Sequence, residues 1–78
     1  MKAENLSQLN IGEKGKIKKI TCNKHLQRRL IDLGLIDGTT VECVHISPYG
    51  SPIAFNIRGA VIALRRDNCD EIRIVRQI

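Results

Sequence analysis

Two short motifs pair a thiol with an imidazole: Cys22-x-x-His25 and Cys43-x-His45. Thiolates and imidazoles hold zinc tetrahedrally, so four of them brought together would make a metal site. The spacing does not favour one, because local zinc motifs repeat as C-x-x-C or H-x₃-H and here two strands would have to converge. We therefore expect no metal site, a buried Cys43 and two surface histidines. A small metal carrier remains an alternative.

The three cysteines, Cys22, Cys43 and Cys69, form no C-x-x-C motif. An odd number cannot all pair within one chain, so we expect reduced, partly buried thiols in a reducing compartment. No apolar run approaches the roughly 20 residues of a membrane helix, and no apolar segment follows Met1. These features predict a cytoplasmic protein.

No group of residues is typical of an active site. The sequence lacks the nucleophile motif G-x-S-x-G, and Gly12-x-x-Gly15 is not followed by the Lys-Ser/Thr of a phosphate-binding loop. Acidic and basic residues are mixed over 65–73, which is typical of a solvated surface, with Arg65 expected to pair with Asp67 or Asp70. We predict a protein that is not an enzyme and has no cofactor.

The charge balance is basic and uneven. Thirteen Lys and Arg against eight Asp and Glu give a net charge of +5, and residues 14–31 contain seven basic side chains and no acidic one. Such a stretch could contact phosphates, so a basic nucleic-acid-binding barrel remains an alternative. The only aromatic side chains, Tyr49 and Phe55, are too few for base stacking. No nucleic-acid partner is therefore expected.

The clearest helix signal begins at Asn23, a residue type that caps helix N-termini. Leu26, Leu30 and Leu33 follow at a spacing that forms one apolar stripe, and Gly34 stands where a left-handed C-cap is favoured. The pattern predicts one helix that packs its leucines on the core.

The face opposite this stripe carries Lys24, Arg28 and Ile31, a basic surface with one apolar residue in it. Tyr49 lies in a connection between two prolines, and tyrosine is enriched among residues that dominate protein interfaces. We predict Lys24, Arg28, Ile31 and Tyr49 as partner-binding residues, although exposed side chains of these types often have no function.

The rest of the chain has sequence patterns that are typical of short strands. Alternating and β-branched residues predict about five of them, and Ile17 and Ile20 have opposite parity, which suggests a bulge in the first. The predicted strands span residues 16–22, 39–46, 53–58, 60–66 and 71–76, with a turn at 65–70.

Closure of these strands into a barrel removes exposed sheet edges. We predict one domain over 1–78, with its core at about 6–75. Its fold class is mainly β, a small SH3-like barrel with one α-helix packed at one end.

The order and spacing of several landmarks resemble the ferrous iron transport protein A family (FeoA), small proteins with an SH3-like fold. The matching landmarks are Leu6-x-x-Leu9-x-x-Gly12-x-x-Gly15-x-Ile17, Arg29-Leu30-x-Asp32-Leu33-Gly34-Leu35, Gly38-Thr39-x-Val41, Pro48-x-Gly50-x-Pro52-Ile53, Arg58-Gly59, Ala63-Leu64-Arg65 and Ile72-x-Ile74. Together they cover nearly the whole chain.

The resemblance implies a cytoplasmic accessory protein of a ferrous iron uptake system. Its expected partner is the cytoplasmic part of a FeoB-type transporter, with Fe(II) transport modulated by protein–protein interaction and contact with the membrane only through that partner. An exposed strand edge would also make a homodimer possible.

Overall fold

The structure is a computed structural model that describes residues 3 to 77. Within them, a 3₁₀ turn at Leu6–Gln8 follows the first strand. The strands and helices are β1 (Ala3–Asn5), β2 (Lys14–Ile20), α1 (Lys24–Asp32), β3 (Thr40–Ile46), β4 (Ile53–Ile57), β5 (Ala60–Leu64), α2 (Arg66–Cys69) and β6 (Ile72–Gln77). The ends of the predicted 1–78 domain, residues 1–2 and 78, lie outside the described residues.

The six strands form one antiparallel sheet in the order β1-β6-β2-β3-β4-β5. Strands β2 to β6 and both helices all contribute to a single buried cluster, with Phe55 as its largest side chain. A sheet whose strands share one core has to wrap around it. The predicted mainly β architecture is confirmed.

The first strand, β1, was not predicted, because Ala-Glu-Asn has neither alternation nor a β-branched residue. It forms by pairing with β6 at the other end of the chain, with Glu4 opposite Ile74. Arg76 on β6 holds this region: its Nε donates to Glu4 Oε2 at 2.8 Å, and its Nη2 donates to the Gln8 carbonyl at 3.0 Å. Arg76 also forms an ion pair with Glu13.

Strand β2 begins two residues earlier than predicted, and its predicted bulge is present. Its pairing with β6 shifts register between Ile17 and Lys19. Because one extra residue is inserted there, Ile17 and Ile20 can both turn toward the core despite their opposite parity. Ile17 is buried and Ile20 is partly buried.

Helix α1 begins and ends as its residue types predict. The Asn23 side chain accepts a hydrogen bond from the Leu26 backbone N–H at 2.9 Å. At the other end Gly34 has a φ of +99°, and the N–H of Leu35 donates to the Leu30 carbonyl at 2.9 Å. This 6→1 bond, with Leu30 and Leu35 both buried, is a Schellman motif with its apolar contact.

The predicted leucine stripe is only partly correct. Leu30 is buried and Leu26 partly buried, but Leu33 is 41% exposed. The helix ends at Asp32, so Leu33 leaves the helical period. Leu35, which the left-handed turn at Gly34 directs back to the core, takes the buried position.

Two connections position the last strands. A two-residue turn, Arg58–Gly59, joins β4 to β5, and both residues have positive φ, +53° and +88°. These angles belong to the type I′ turn that suits a twisted hairpin. The segment predicted as a turn, residues 65–70, contains the short helix α2, which buries Cys69 completely.

Candidate protein-docking surface

Helix α1 presents Lys24, Arg28 and Ile31 on one exposed face, as their spacing predicts. Ile31, an apolar residue, is 49% exposed to solvent. The helix is held against β2 by Gln27, whose Nε2 donates to the Ile20 carbonyl at 3.1 Å. The three predicted residues therefore stand on an element that is fixed to the sheet.

Ile31 is not an isolated apolar residue on this face. It lies where two shallow depressions meet, one along α1 and the other between α1 and the end of β2. We call their joint surface the basic groove. Above the buried side chains of Ile17 and Leu35, it is lined by Lys18, Lys19, Ile20, Lys24, Gln27, Arg28, Ile31, Asp32, Ile36 and Asp37. Its apolar part is formed by Ile20, Ile31 and Ile36, of which Ile36 is 41% exposed.

The bulge in β2 contributes the second pair of cations. In a regular strand Lys18 and Lys19 would point to opposite faces. The register shift between Ile17 and Lys19 lets both lysines stand exposed beside the groove. Lys19 is directly opposite Arg73 on β6, a like-charge pair that costs the sheet some stability.

The cations of the groove outnumber the acidic side chains beside them. Lys18, Lys19, Lys24 and Arg28 contribute four positive charges, whereas Asp32 and Asp37 are the acidic residues lining the two depressions. Within residues 3–77 the ion pairs present join Arg76 to Glu4 and Glu13. The groove cations are therefore available to an acidic partner.

Tyr49 lies apart from this surface and lines neither depression. It is 95% exposed in the turn that joins β3 to β4. That turn is fixed to α2, since Arg66 Nε donates to the Gly50 carbonyl at 2.8 Å and the Ser51 hydroxyl accepts from the Arg66 N–H at 3.1 Å. Tyr49 is thus a separate candidate anchor on an ordered turn.

The structure does not bring the thiols and imidazoles of the sequence motifs together. Cys22 and Cys43 are buried, while His25 and His45 are exposed. A second register shift, between Cys43 and His45 in the pairing of β3 with β4, explains how residues two apart reach opposite faces. Across the described part of the chain, no three His, Cys, Asp or Glu residues are grouped to hold a metal ion.

The buried thiols are poor nucleophiles. Burial raises the pKa of Cys69 to about 12, and it also raises the pKa of Cys43 and Cys22. Because the thiolate is the reactive form, these cysteines behave as small core side chains.

The predicted ion pair of Arg65 is wrong. Arg65 is exposed at the start of α2, and no ion pair of it with Asp67 or Asp70 occurs among residues 3–77. Asp70 accepts a hydrogen bond from the Ser7 hydroxyl instead, and Asp67 accepts from the Asn68 N–H at 3.2 Å. Sequence proximity in a short helix did not predict these partners.

A model of the FeoA domain matches residues 4–76. The chain belongs to the FeoA family. Membership of this family links it to ferrous iron transport, as the sequence landmarks predict.

Solved structures of similar proteins agree with the predicted fold. The solution NMR structure of the FeoA protein from Chlorobium tepidum has a TM-score of 0.93 at 28% identity, and the match covers 96% of this chain and 71% of that one. The crystal structure of Stenotrophomonas maltophilia FeoA, described as a prokaryotic SH3 domain protein, has a TM-score of 0.80 at 24% identity, covering 91% and 88%. The predicted SH3-like fold is confirmed.

One curated relative joins two proteins in one chain. It is the Fe(2+) transport protein A/Fe(2+) transporter FeoB fusion protein of Porphyromonas gingivalis (strain ATCC BAA-308 / W83), 25% identical over 69 residues. The match covers 88% of this chain but only 8% of the relative. Neither helix of residues 3–77 has the length and apolar composition of a membrane span.

Proposed function

We propose that this chain is a cytoplasmic accessory protein that docks on the cytoplasmic part of a FeoB-type ferrous iron transporter and modulates Fe(II) transport. The observation that carries the proposal is the fusion relative, whose name joins transport protein A to the transporter FeoB in one polypeptide. Linking two modules raises their effective concentration for each other. Modulation of the transporter by binding therefore requires a docking surface on this chain.

In this proposal the chain acts by binding and performs no catalysis. A ligand shifts a conformational equilibrium only by its difference in affinity for the two states. The chain would therefore bind one conformation of the transporter more tightly than the other. A barrel with α1 fixed to β2 suits this role, because a preorganised surface loses little entropy on binding.

The basic groove is the surface we assign to the transporter. Its cations would steer an acidic partner surface and raise the association rate, while Ile31 and Ile36 would bury apolar area at the centre of the contact. Lys24 and Arg28 lie at one end of it. Tyr49 would be a second, separate contact.

The function is tested by Fe(II) uptake in cells that lack the chain. Re-supplying the wild-type chain is expected to restore the uptake rate found before the deletion. Uptake that is the same with and without the chain contradicts the proposal.

The surface is tested by binding to the purified cytoplasmic part of the transporter. Arg28→Glu combined with Ile31→Asp reverses one charge and removes one apolar contact, and we expect at least a roughly tenfold loss of affinity. The control, Lys14→Glu with Ile11→Asp, makes the same changes at exposed residues near the opposite end of β2. Equal binding by both double variants would exclude the basic groove but leave the function open.

A further inference from the structure

The outer edge of β5 is a free sheet edge. β5 pairs with β4 along its whole length, from Ala60 opposite Ile57 to Leu64 opposite Ile53, and it is the last strand in the sheet order. Within residues 3–77 no strand pairs with its other side. The opposite end of the sheet is the three-residue strand β1.

This edge lacks the usual protection against pairing with other chains. Natural proteins place lysine, proline or a bulge on such edges. The sequence of β5 is Ala-Val-Ile-Ala-Leu, without a charge or a proline, and its register with β4 has no shift. Val61, near its centre, is 67% exposed. An unprotected apolar edge of this kind is either a liability or a binding site.

The hairpin geometry identifies the backbone groups that a new strand would meet. In an antiparallel pair the residues alternate between bonding the neighbouring strand and facing away from it. A two-residue turn makes Ile57 and Ala60 a hydrogen-bonded pair, so Ile62 and Leu64 also face β4. The N–H and C=O groups of Val61 and Ala63 are therefore directed to the free edge.

Basic side chains stand at both ends of this edge. Arg58 precedes β5, and Arg65 and Arg66 follow it; all three are exposed. Asp67 is the acidic residue close to them in the sequence. If two copies paired antiparallel about Ile62, Arg58 of each would meet Arg66 of the other, and each chain already carries a net charge of +5. A second copy is therefore disfavoured as the occupant.

We propose that the β5 edge binds an extended segment of a partner protein by strand addition, and that this segment has an apolar, β-branched centre flanked by carboxylates. The main chain of Val61 and Ala63 would supply the hydrogen bonds, and the flanking carboxylates would pair with Arg58 and Arg65. On one face of β5, Leu33 and Ile62 contribute to the apolar part of a depression that Arg29 and Arg65 also line, and this depression would receive side chains of the added strand. The proposal does not depend on the basic groove or on the identity of the transporter.

The probe is a synthetic peptide blocked at both ends, with a Val-Thr-Val-Thr-Val centre and two acidic residues on each side. Binding is followed by amide NMR spectra of the full chain. Hydrogen exchange of the Val61 and Ala63 amides is expected to slow at least roughly tenfold at saturation. A peptide with lysines as flanks should bind at least roughly tenfold more weakly.

Two variants separate strand addition from simple charge attraction. Ala63→Pro removes an outward N–H and should abolish binding, whereas Ala63→Ser should keep it. Val61→Lys adds a positive charge, so attraction alone would tighten binding of the acidic peptide, while a blocked edge would weaken it. If Ala63→Pro does not fold, Val61→Lys and the wild-type exchange data decide.

Several outcomes would overturn the proposal. They are a dissociation constant for the acidic peptide weaker than about 1 mM, protection confined to amides of α1 and β2, or tighter binding by Val61→Lys. None of these outcomes bears on binding of the transporter by the basic groove. The two proposals can therefore fail separately.

Discussion

Gly15 on β2 leaves no room for a side chain. A Cβ built at this buried position would lie 2.7 Å from Ile74 Cδ1 and 3.4 Å from the Val75 carbonyl oxygen. The glycine here is required by close packing between β2 and β6, since its φ is not in the left-handed region.

We expect Gly15→Ala to lower the free energy of unfolding by about 1–3 kcal/mol, because the added methyl group overpacks the core. Ile74→Val removes the clashing Cδ1 and by itself should cost about 0.5–1.5 kcal/mol. The double variant should therefore lose less than the sum of the two, measured by urea unfolding. Additive losses would show that this contact is not the cause.

Glu13 makes stability depend on pH in the acidic range. The Asn10 backbone N–H donates to Glu13 Oε1 at 2.7 Å and Arg76 contacts its other oxygen, so both groups favour the carboxylate and lower the pKa of Glu13. A lowered native pKa gives stability that is present above the ordinary glutamate pKa and is lost as the pH falls through the native value. Glu13→Gln should therefore lose less unfolding free energy than the wild type between about pH 5 and pH 3. If the unfolding free energies of the two proteins fell equally between these pH values, the prediction would be contradicted.

Among single residues of the basic groove, the sequence predicts Lys24, Arg28 and Ile31 better than it predicts Ile20 and Ile36. Helical spacing is enough to put Lys24, Arg28 and Ile31 on one face. Ile36 joins them only because the chain turns left-handed at Gly34, two residues earlier. Ile20 depends on the bulge in β2. The regular repeat of a helix or a strand does not predict either of these side-chain directions.

The helix and strands that could be predicted are those whose sequence signals lie within the element itself. Helix α1 is specified by its own cap residues, and the strands β3 and β4 by their own alternation. Strand β1 has no such signal, because its partner β6 is about seventy residues away in the sequence. The ion pairs of Arg76 with Glu4 and Glu13 were missed for the same reason.

The β4–β5 hairpin contains a residue in an unfavourable conformation. Arg58 has a φ of +53°, which side chains with a Cβ adopt at a cost and asparagine tolerates best. We expect Arg58→Asn to raise the free energy of unfolding by about 0.5–1 kcal/mol in urea, since Asn-Gly favours the type I′ turn. Arg58→Ala, which keeps the strain, is the control and should not be stabilising. A destabilised Asn variant would mean that the Arg58 side chain, which lies against Gly34, contributes more than the strain costs.

All three cysteines lie in the single core of the molecule, and this burial determines how fast they react. Cys43 and Cys69 are fully buried and Cys22 nearly so, and their pKa values are raised. At about pH 8 the native protein should react with a thiol reagent far more slowly than a free thiol does, and all three cysteines should react at once in denaturant. Rapid labelling of one cysteine in the native state would reveal local opening of the barrel at that residue.

The position of β6 in the sheet also constrains when the chain can fold during its synthesis. Strands β1 and β2 do not pair with each other, because β6 lies between them. A ribosome releases β6 after the other five strands of this sheet, so β1 and β2 emerge before the strand that both pair with. Formation of the complete sheet should therefore follow synthesis of residue 77, and a nascent chain halted before residue 72 should lack the architecture that its own first twenty residues need.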